Sequence, residues 1–343
     1  MEKELEYILE NLKQIMAIDS PSGYTSKVIA YLDGIAKELG FNTFKSIKGN
    51  LIIEVPGKDD KDVLGVCAHV DTLGLMVRSI KSDGTLAITK VGGPIMATLD
   101  GEYCKIYTRD NKVYTGTILS TSPAIHVFKD ASTIERNDEN MIVRIDEEVR
   151  TKEDVLKLGI NNGDYIAYDP KTTITDSGFI KSRFLDDKLS VSILFGILKK
   201  ISDGKIILPR KTYFMLSTYE EVGHGLAWIP NDVTSLLAVD MGCIGQDLAC
   251  TEYDVSICAK DSSGPYDNAM VTDLVNLSKE NKLSYAIDIY PYYGSDISAS
   301  LSGGNNIKGA LIGSGVAASH GMERTHTKGV MNTFKLVWAY INK

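Results

Sequence analysis

No apolar run in this chain approaches the roughly 20 residues that a bilayer-spanning helix needs, which argues against a membrane partner. The start MEKELEYILENLKQ alternates charged with apolar residues instead of building the apolar core of a signal peptide. The expectation is a cytoplasmic protein. Basic charge is also short, with 37 Lys and Arg against 45 Asp and Glu and a formal net charge of −8. Nucleic acid is not an expected partner, because phosphate neutralisation requires a basic stripe. Cysteine is sparse: Cys67, Cys104, Cys243, Cys250 and Cys258 are odd in number and form no CxxC pair, so they read as reduced thiols used as small core residues. Internal repeats and low-complexity tracts are absent too. What is present is 43% hydrophobic and 24% charged residues over 343 positions, enough to bury the core of one large or two ordinary domains.

Leu5, Ile8, Leu9, Leu12, Ile15 and Met16 recur at the spacing of one helical face. The stretch Asp19-Ser20-Pro21-Ser22-Gly23 breaks that helix, and a second one carrying Val28, Ile29, Leu32, Ile35, Ala36 and Leu39 stops at Gly40. Strands are expected at 50–55 and 63–70. Between 73 and 175 the pattern changes to short alternating runs such as LMVRSI and KVYTGTIL separated by Asp-Gly and Gly-Gly turns, the signature of an all-β insert. After it come a helix at 189–202, strands at 211–219 and ending at 240, and a helix near 266–281. Strands alternating with helices imply an α/β fold with a mixed, largely parallel sheet sandwiched by helices. The catalytic domain is then discontinuous, 1–72 and 176–343, around the insert at 73–175.

Apolar strand runs repeatedly end in metal-compatible side chains. VLGVCAHVD ends with His69 and Asp71, YFMLSTYEE with Glu220 and Glu221, and SLLAVD with Asp240. Ligands of open α/β sheets bind at the carboxyl ends of the strands, so these groups converge on one crevice. With Asp186 and Asp187 before the helix at 189–202, and His326 near the C-terminus, the set suits a pair of zinc-like divalent ions. Asp186 is the expected bridge, with His69 and Asp240 on one ion and Glu221 and His326 on the other. The Asp71 carboxylate is expected to accept the second N–H of His69 and fix its tautomer. Glu220 points away from Glu221 on an extended segment and is the expected general base.

At these residues the chain resembles the cytosolic glutamyl aminopeptidase and tetrahedral (TET) aminopeptidase family, some of whose members carry an endoglucanase or cellulase label. The resemblance is carried by AHVDTLGLMV at 68–77, FLDDKLSV at 184–191, TYEEVGHG at 218–225, AVDMG at 238–242, GSDISA at 294–299 and RTHT at 324–327. It implies a two-zinc or two-cobalt aminopeptidase acting on short peptides. It also implies a barrel-like insert used for assembly into a homo-oligomer, often a dodecamer. Asp296 resembles an aspartate near the crevice, which implies a substrate-side role. Two histidines compete for the last ligand position; Thr327 matches the hydroxyl residue of the family pattern, so His326 is the expected ligand and His320 a substrate-pocket residue. Lys188 stands where the family has arginine and loses fork geometry if that side chain braces a carboxylate.

The same ligands serve other amide chemistries, so a deacylase or carboxypeptidase is the alternative within enzymes. An inactive relative acting as a binding scaffold is the alternative outside them. A glycosidase needs two carboxylates flanking a sugar bond and no metal.

Overall fold

The computed structural model describes residues 2–343. Helix α1 (Glu2–Met16) buries Ile8, Leu12, Ile15 and Met16 along one face, each contributing about 1.5–3 kcal/mol. Helix α2 (Ser26–Glu38) buries Val28, Ile29, Leu32 and Ala36. Strands β1 (Asn42–Lys45), β2 (Leu51–Val55) and β3 (Gly57–His69) follow. β3 is longer than its apolar run, because Gly57 and Asp59 at its polar start also pair with a neighbouring strand across an irregularity.

Residues 72–170 form a compact unit of their own. Its strands are β4 (Gly74–Ile80), β5 (Leu86–Val91), β6 (Tyr103–Tyr107), β7 (Val113–Ser120) and β8 (Met141–Ile145), then helix α3 (Lys152–Leu158) and β9 (Tyr165–Tyr168). The strands close into a barrel in the order β4-β5-β8-β7-β6-β9. Period-two alternation buries Leu75, Val77, Leu86, Ile88, Ile106, Ile118, Val143 and Ile166. Helix α3 departs from the all-β expectation. Thr151 and Asp154 form a reciprocal capping box at its start, and Gly159 closes it at φ 92°.

The second unit joins the chain up to Asp71 with the chain from Lys171 onward. Its later elements are β10 (Thr173–Ile174), β11 (Phe179–Ser182), α4 (Leu185–Gly204), β12 (Leu208–Ser217), β13 (Val233–Cys243), β14 (Val255–Asp261) and β15 (Gly264–Pro265). They continue with α5 (Asn268–Glu280), β16 (Tyr285–Ile289), α6 (Asp296–Ser302), β17 (Lys308–Val316), β18 (Glu323–His326) and α7 (Thr327–Ile341). A nine-stranded sheet runs β1-β2-β12-β3-β13-β17-β14-β15, with β16 beside β14, and β10-β11-β18 form a small separate sheet. Helix α4 is buried from Leu185 to Leu198 because it lies between the sheet strands β3 and β13 and the helices α1 and α7; a helix covered all round needs no polar stripe. Gly196 permits the close approach of α1, since a Cβ there would lie 2.7 Å from Ile8 Cγ1.

β12, β3, β13 and β17 are adjacent and mutually parallel. Their carboxyl ends therefore share one edge of the sheet, with His69 opposite Ser217 and Asp240 opposite Gly313.

Candidate metal centre

His69 closes β3 and is 1% exposed. Its Nδ1 lies 2.9 Å from the carbonyl oxygen of Asp71. A carbonyl only accepts, so Nδ1 carries the proton and Nε2 faces Asp186 Oδ1 at 3.0 Å. The tautomer is thus set by the Asp71 backbone, not by its carboxylate as the sequence reading had it. The nearest Asp71 carboxylate oxygen is 3.6 Å from Nδ1. That carboxylate is engaged elsewhere: it accepts from Ser22 Oγ at 2.5 Å and from the backbone N–H groups of Glu220 at 3.1 Å and Glu221 at 3.3 Å. Asp71 pins the turn that carries both glutamates.

That turn is a single 3-10 turn, Glu220–Val222, rather than the extended segment expected. The two carboxylates still diverge. Glu220 Oε2 lies 3.6 Å from His69 Nε2 with 14% of its side chain exposed, whereas Glu221 Oε2 lies 3.6 Å from His320 Nε2 with 3% exposed. Asp296 braces the far side of the turn, accepting from Ser217 Oγ at 2.5 Å and Leu226 N at 2.8 Å. Gly225 makes room for it: a Cβ there would fall 2.3 Å from Asp296 Oδ1. The substrate-side role expected of Asp296 is corrected accordingly, because both its oxygens are taken; nor does it cap α6, where Ser295 is the N-cap.

Asp186 and Asp187 open α4 with non-helical backbone angles, after Phe184 in the left-handed region at φ 64°; the peptide bond between them is cis. Asp186 faces two imidazoles, Oδ1 lying 3.0 Å from His69 Nε2 and Oδ2 3.6 Å from His320 Nε2. Asp240 Oδ2, on β13, is 4.0 Å from His69 Nε2. Asp187 Oδ2 accepts from the backbone N–H of His69 at 3.1 Å. Two triads place their ligand atoms within 4.8 Å of one another: His69 with Asp186 and Glu221, and His69 with Asp187 and Asp240.

A family model described as M42 glutamyl aminopeptidase matches residues 49–336. The chain belongs to this family. It is 46% identical over 334 residues to "Putative aminopeptidase YhfE" of Bacillus subtilis, covering 97% of this chain and 96% of that protein. The fold is that of the TET aminopeptidase of a marine-sediment Thaumarchaeota archaeon, with a TM-score of 0.88, 18% identity and 98% and 97% of the two chains covered. It is also that of the Pyrococcus horikoshii TET1 peptidase, with a TM-score of 0.85, 24% identity and coverages of 98% and 99%. This M42 chain is a peptide hydrolase of the aminopeptidase kind.

In this M42 chain the structure brings His320 to the site acids and leaves His326, the ligand expected from sequence, away from them. His320 stands at Asp186 and Glu221. His326 lies apart, with Nε2 donating to Ser177 O at 2.9 Å, Nδ1 accepting from Lys328 N as the N-cap of α7, and the ring packed on Phe179 and Tyr253. The physical reason is that β18 pairs with β11, which fixes His326 opposite Phe179. The buried ammonium of Lys188 donates to the carbonyls of Ile15 at 3.0 Å and Ile18 at 2.7 Å, at the negative end of α1. His224 stacks on Tyr219 with ring centroids 5.0 Å apart, and Lys48 donates to the carbonyls of His224 and Gly225. Sequence reasoning assigned no role to Asp187 or to Tyr293, whose phenol hydrogen-bonds Asp240.

The electrostatics are those of too many carboxylates in too little water. Burial, with neighbouring acids, pushes the proton affinities of Asp187, Glu220 and Glu221 well above the carboxylate range, and that of Asp240 up to about 7. Asp186 is held low despite its burial by the hydrogen bond and charge of His69. Burial opposes the charge on His69, yet Asp186 and the surrounding acids raise it well above the usual histidine value. At this site two buried carboxylate oxygens, Asp187 Oδ1 and Glu221 Oε1, have no hydrogen-bond partner among the described residues, a costly state that a bound cation relieves.

Proposed function

We propose that this chain is a dinuclear metal-dependent aminopeptidase that removes N-terminal residues from short peptides. The observation that carries the reading is Asp186, one of whose oxygens faces His69 at 3.0 Å and the other His320 at 3.6 Å. A bridging carboxylate with an imidazole on each side, Asp240 beside His69 and Glu221 beside His320, is the donor set of a two-ion site. The partnerless oxygens of Asp187 and Glu221 fit the same group. In this reading His69 and Asp240 hold one ion, Glu221 and His320 the other, and Asp186 both.

When bound, two zinc or cobalt ions supply positive charge that acidifies water and polarises a carbonyl. The protein's own groups do the rest. The Asp71 carbonyl keeps the proton on His69 Nδ1, and the Asp71 carboxylate holds the Glu220–Glu221 turn. Glu220, the more exposed of the two glutamates, accepts a proton from the attacking water as the carbon–oxygen bond forms. It returns the proton to the nitrogen as the carbon–nitrogen bond breaks. The surplus of carboxylates suits a substrate that brings a positive amino terminus.

Hydrolysis of a peptide series with and without N-terminal acetylation tests the reading on the metal-loaded protein. Free peptides are expected to release their first residue, and acetylation to abolish turnover. Faster hydrolysis of the acetylated set would make the protein a deacylase, release from the other end a carboxypeptidase, and no hydrolysis at all a binding scaffold.

We also read the barrel unit as an assembly surface of a cytoplasmic homo-oligomer, a dodecamer being the expected form. Ile125 and Val127 are 72% and 73% exposed on that unit, and the P. horikoshii TET1 peptidase can assemble into a tetrahedron or a large octahedral shell. Light scattering at micromolar concentration is expected to give a mass several times that of one chain; a monomer would end this reading.

A further inference from the structure

We propose that Glu323 is the positioning residue that holds His320 against Asp186, so that the cation shared by Asp186, Glu221 and His320 depends on it. The proposal rests on the two-ion reading above. Glu323 begins β18 opposite Ser182 of β11, and it is 2% exposed. Its Oε1 accepts from the backbone N–H of His320 at 3.0 Å and its Oε2 from that of Asp186 at 3.1 Å; the N–H of Leu185 is a further donor to it. One carboxylate thus clasps the peptide that carries the imidazole to the peptide that carries the bridging acid.

The clasp has something to hold. Between β17 and β18 the chain places Ala318 at φ 58° and His320 at φ 63°, a left-handed conformation disfavoured for a residue with a Cβ. Gly321 N donates to Ala318 O at 3.1 Å, and Ala317 and Arg324 bridge across the base of the loop. Those contacts close the loop on itself, and the bond to Glu323 Oε1 ties its histidine to α4. Glu323 spends both oxygens on peptide N–H groups, so it acts on the site through His320 and Asp186.

The test is zinc titration of the full-length, metal-stripped protein by calorimetry, comparing wild type with Glu323→Gln, Glu323→Asp, His320→Ala and His326→Ala. Wild type is expected to bind two ions. Glu323→Gln offers one acceptor oxygen and turns an amide N–H₂ toward a peptide donor; it should weaken one ion by about 10–100-fold, the usual effect of losing an orienting group behind a ligand. The other ion, which shares only Asp186 with this clasp, should weaken distinctly less. His320→Ala should remove the same ion, and His326→Ala should leave both. Glu323→Asp keeps two acceptors on a shorter stem and should recover part of the loss; it also serves if the glutamine variant fails to fold. Wild-type affinities for both ions in Glu323→Gln, or an equal weakening of the two, would overturn the proposal while leaving the two-ion reading intact. No zinc uptake by wild type would overturn both.

Discussion

Glu220→Gln is expected to lower kcat by roughly 10²–10⁴, the span attributed to a lost general base, with metal content and thermal unfolding unchanged. The substitution keeps the shape of the side chain and the backbone N–H that Asp71 holds at 3.1 Å, so the turn should stay in place. KM should move little, because the carboxylate acts on the proton and not on the resting peptide. The neighbouring glutamate provides the contrast: Glu221 has a partnerless buried oxygen and sits at His320, so Glu221→Gln should lose an ion as well as turnover. Full activity in Glu220→Gln, measured by amino-acid release from a free-amine peptide, would remove Glu220 from the mechanism.

Chelation should destabilise the protein more at pH 8 than at pH 5.5. In the folded, metal-free chain Asp240 titrates at about 7, and Asp187, Glu220 and Glu221 well above their unfolded values. A raised folded value means that the native state binds the proton more tightly. The stability this provides is complete below the unfolded value near 4 and is lost as the pH rises through the folded value. His69, raised above its ordinary value, acts with the same sign at higher pH. Bound cations replace those protons, so the metal-loaded protein escapes the loss. An ion at a hundredfold excess over its Kd adds about 2.7 kcal/mol. The gap in Tm between loaded and chelated protein should therefore widen from pH 5.5 to pH 8; a gap that narrows would contradict the assignment of these carboxylates to the cation site.

The strand ends were the legible part. His69, the Glu220–Glu221 pair and Asp240 stand out because each interrupts an apolar run at the edge of a buried parallel sheet, where hydrophobic pattern and polar exception are both visible in the letters. Asp186 was legible from its place before a long apolar helix. The placement of His320 rather than His326 beside Asp186 and Glu221 was not, because it turns on two non-glycine residues at positive φ, a conformation with no compositional mark, whereas the Thr327 match pointed to His326. The role of Asp71 was half legible: its presence beside His69 could be read, but the division of labour between its carbonyl and its carboxylate is a property of backbone geometry. Helix α3 carried its own signal, Thr151 with Asp154 and then Gly159, inside a stretch whose alternation otherwise reads as strand.

The adjacency of β12, β3, β13 and β17 bears on when in folding the site can exist. Each strand delivers its ligand from a different stretch of sequence, between His69 and His320, and the strands become neighbours only through long-range pairing, the slow class of contact. On the two-ion reading, an unfolded chain holds those histidines and acids with no shared geometry, so the full cation site exists only once the sheet has formed. Loading then favours the native state and slows its opening. A chain starved of metal during synthesis should consequently reach the right topology and wait there, competent for later activation rather than misfolded.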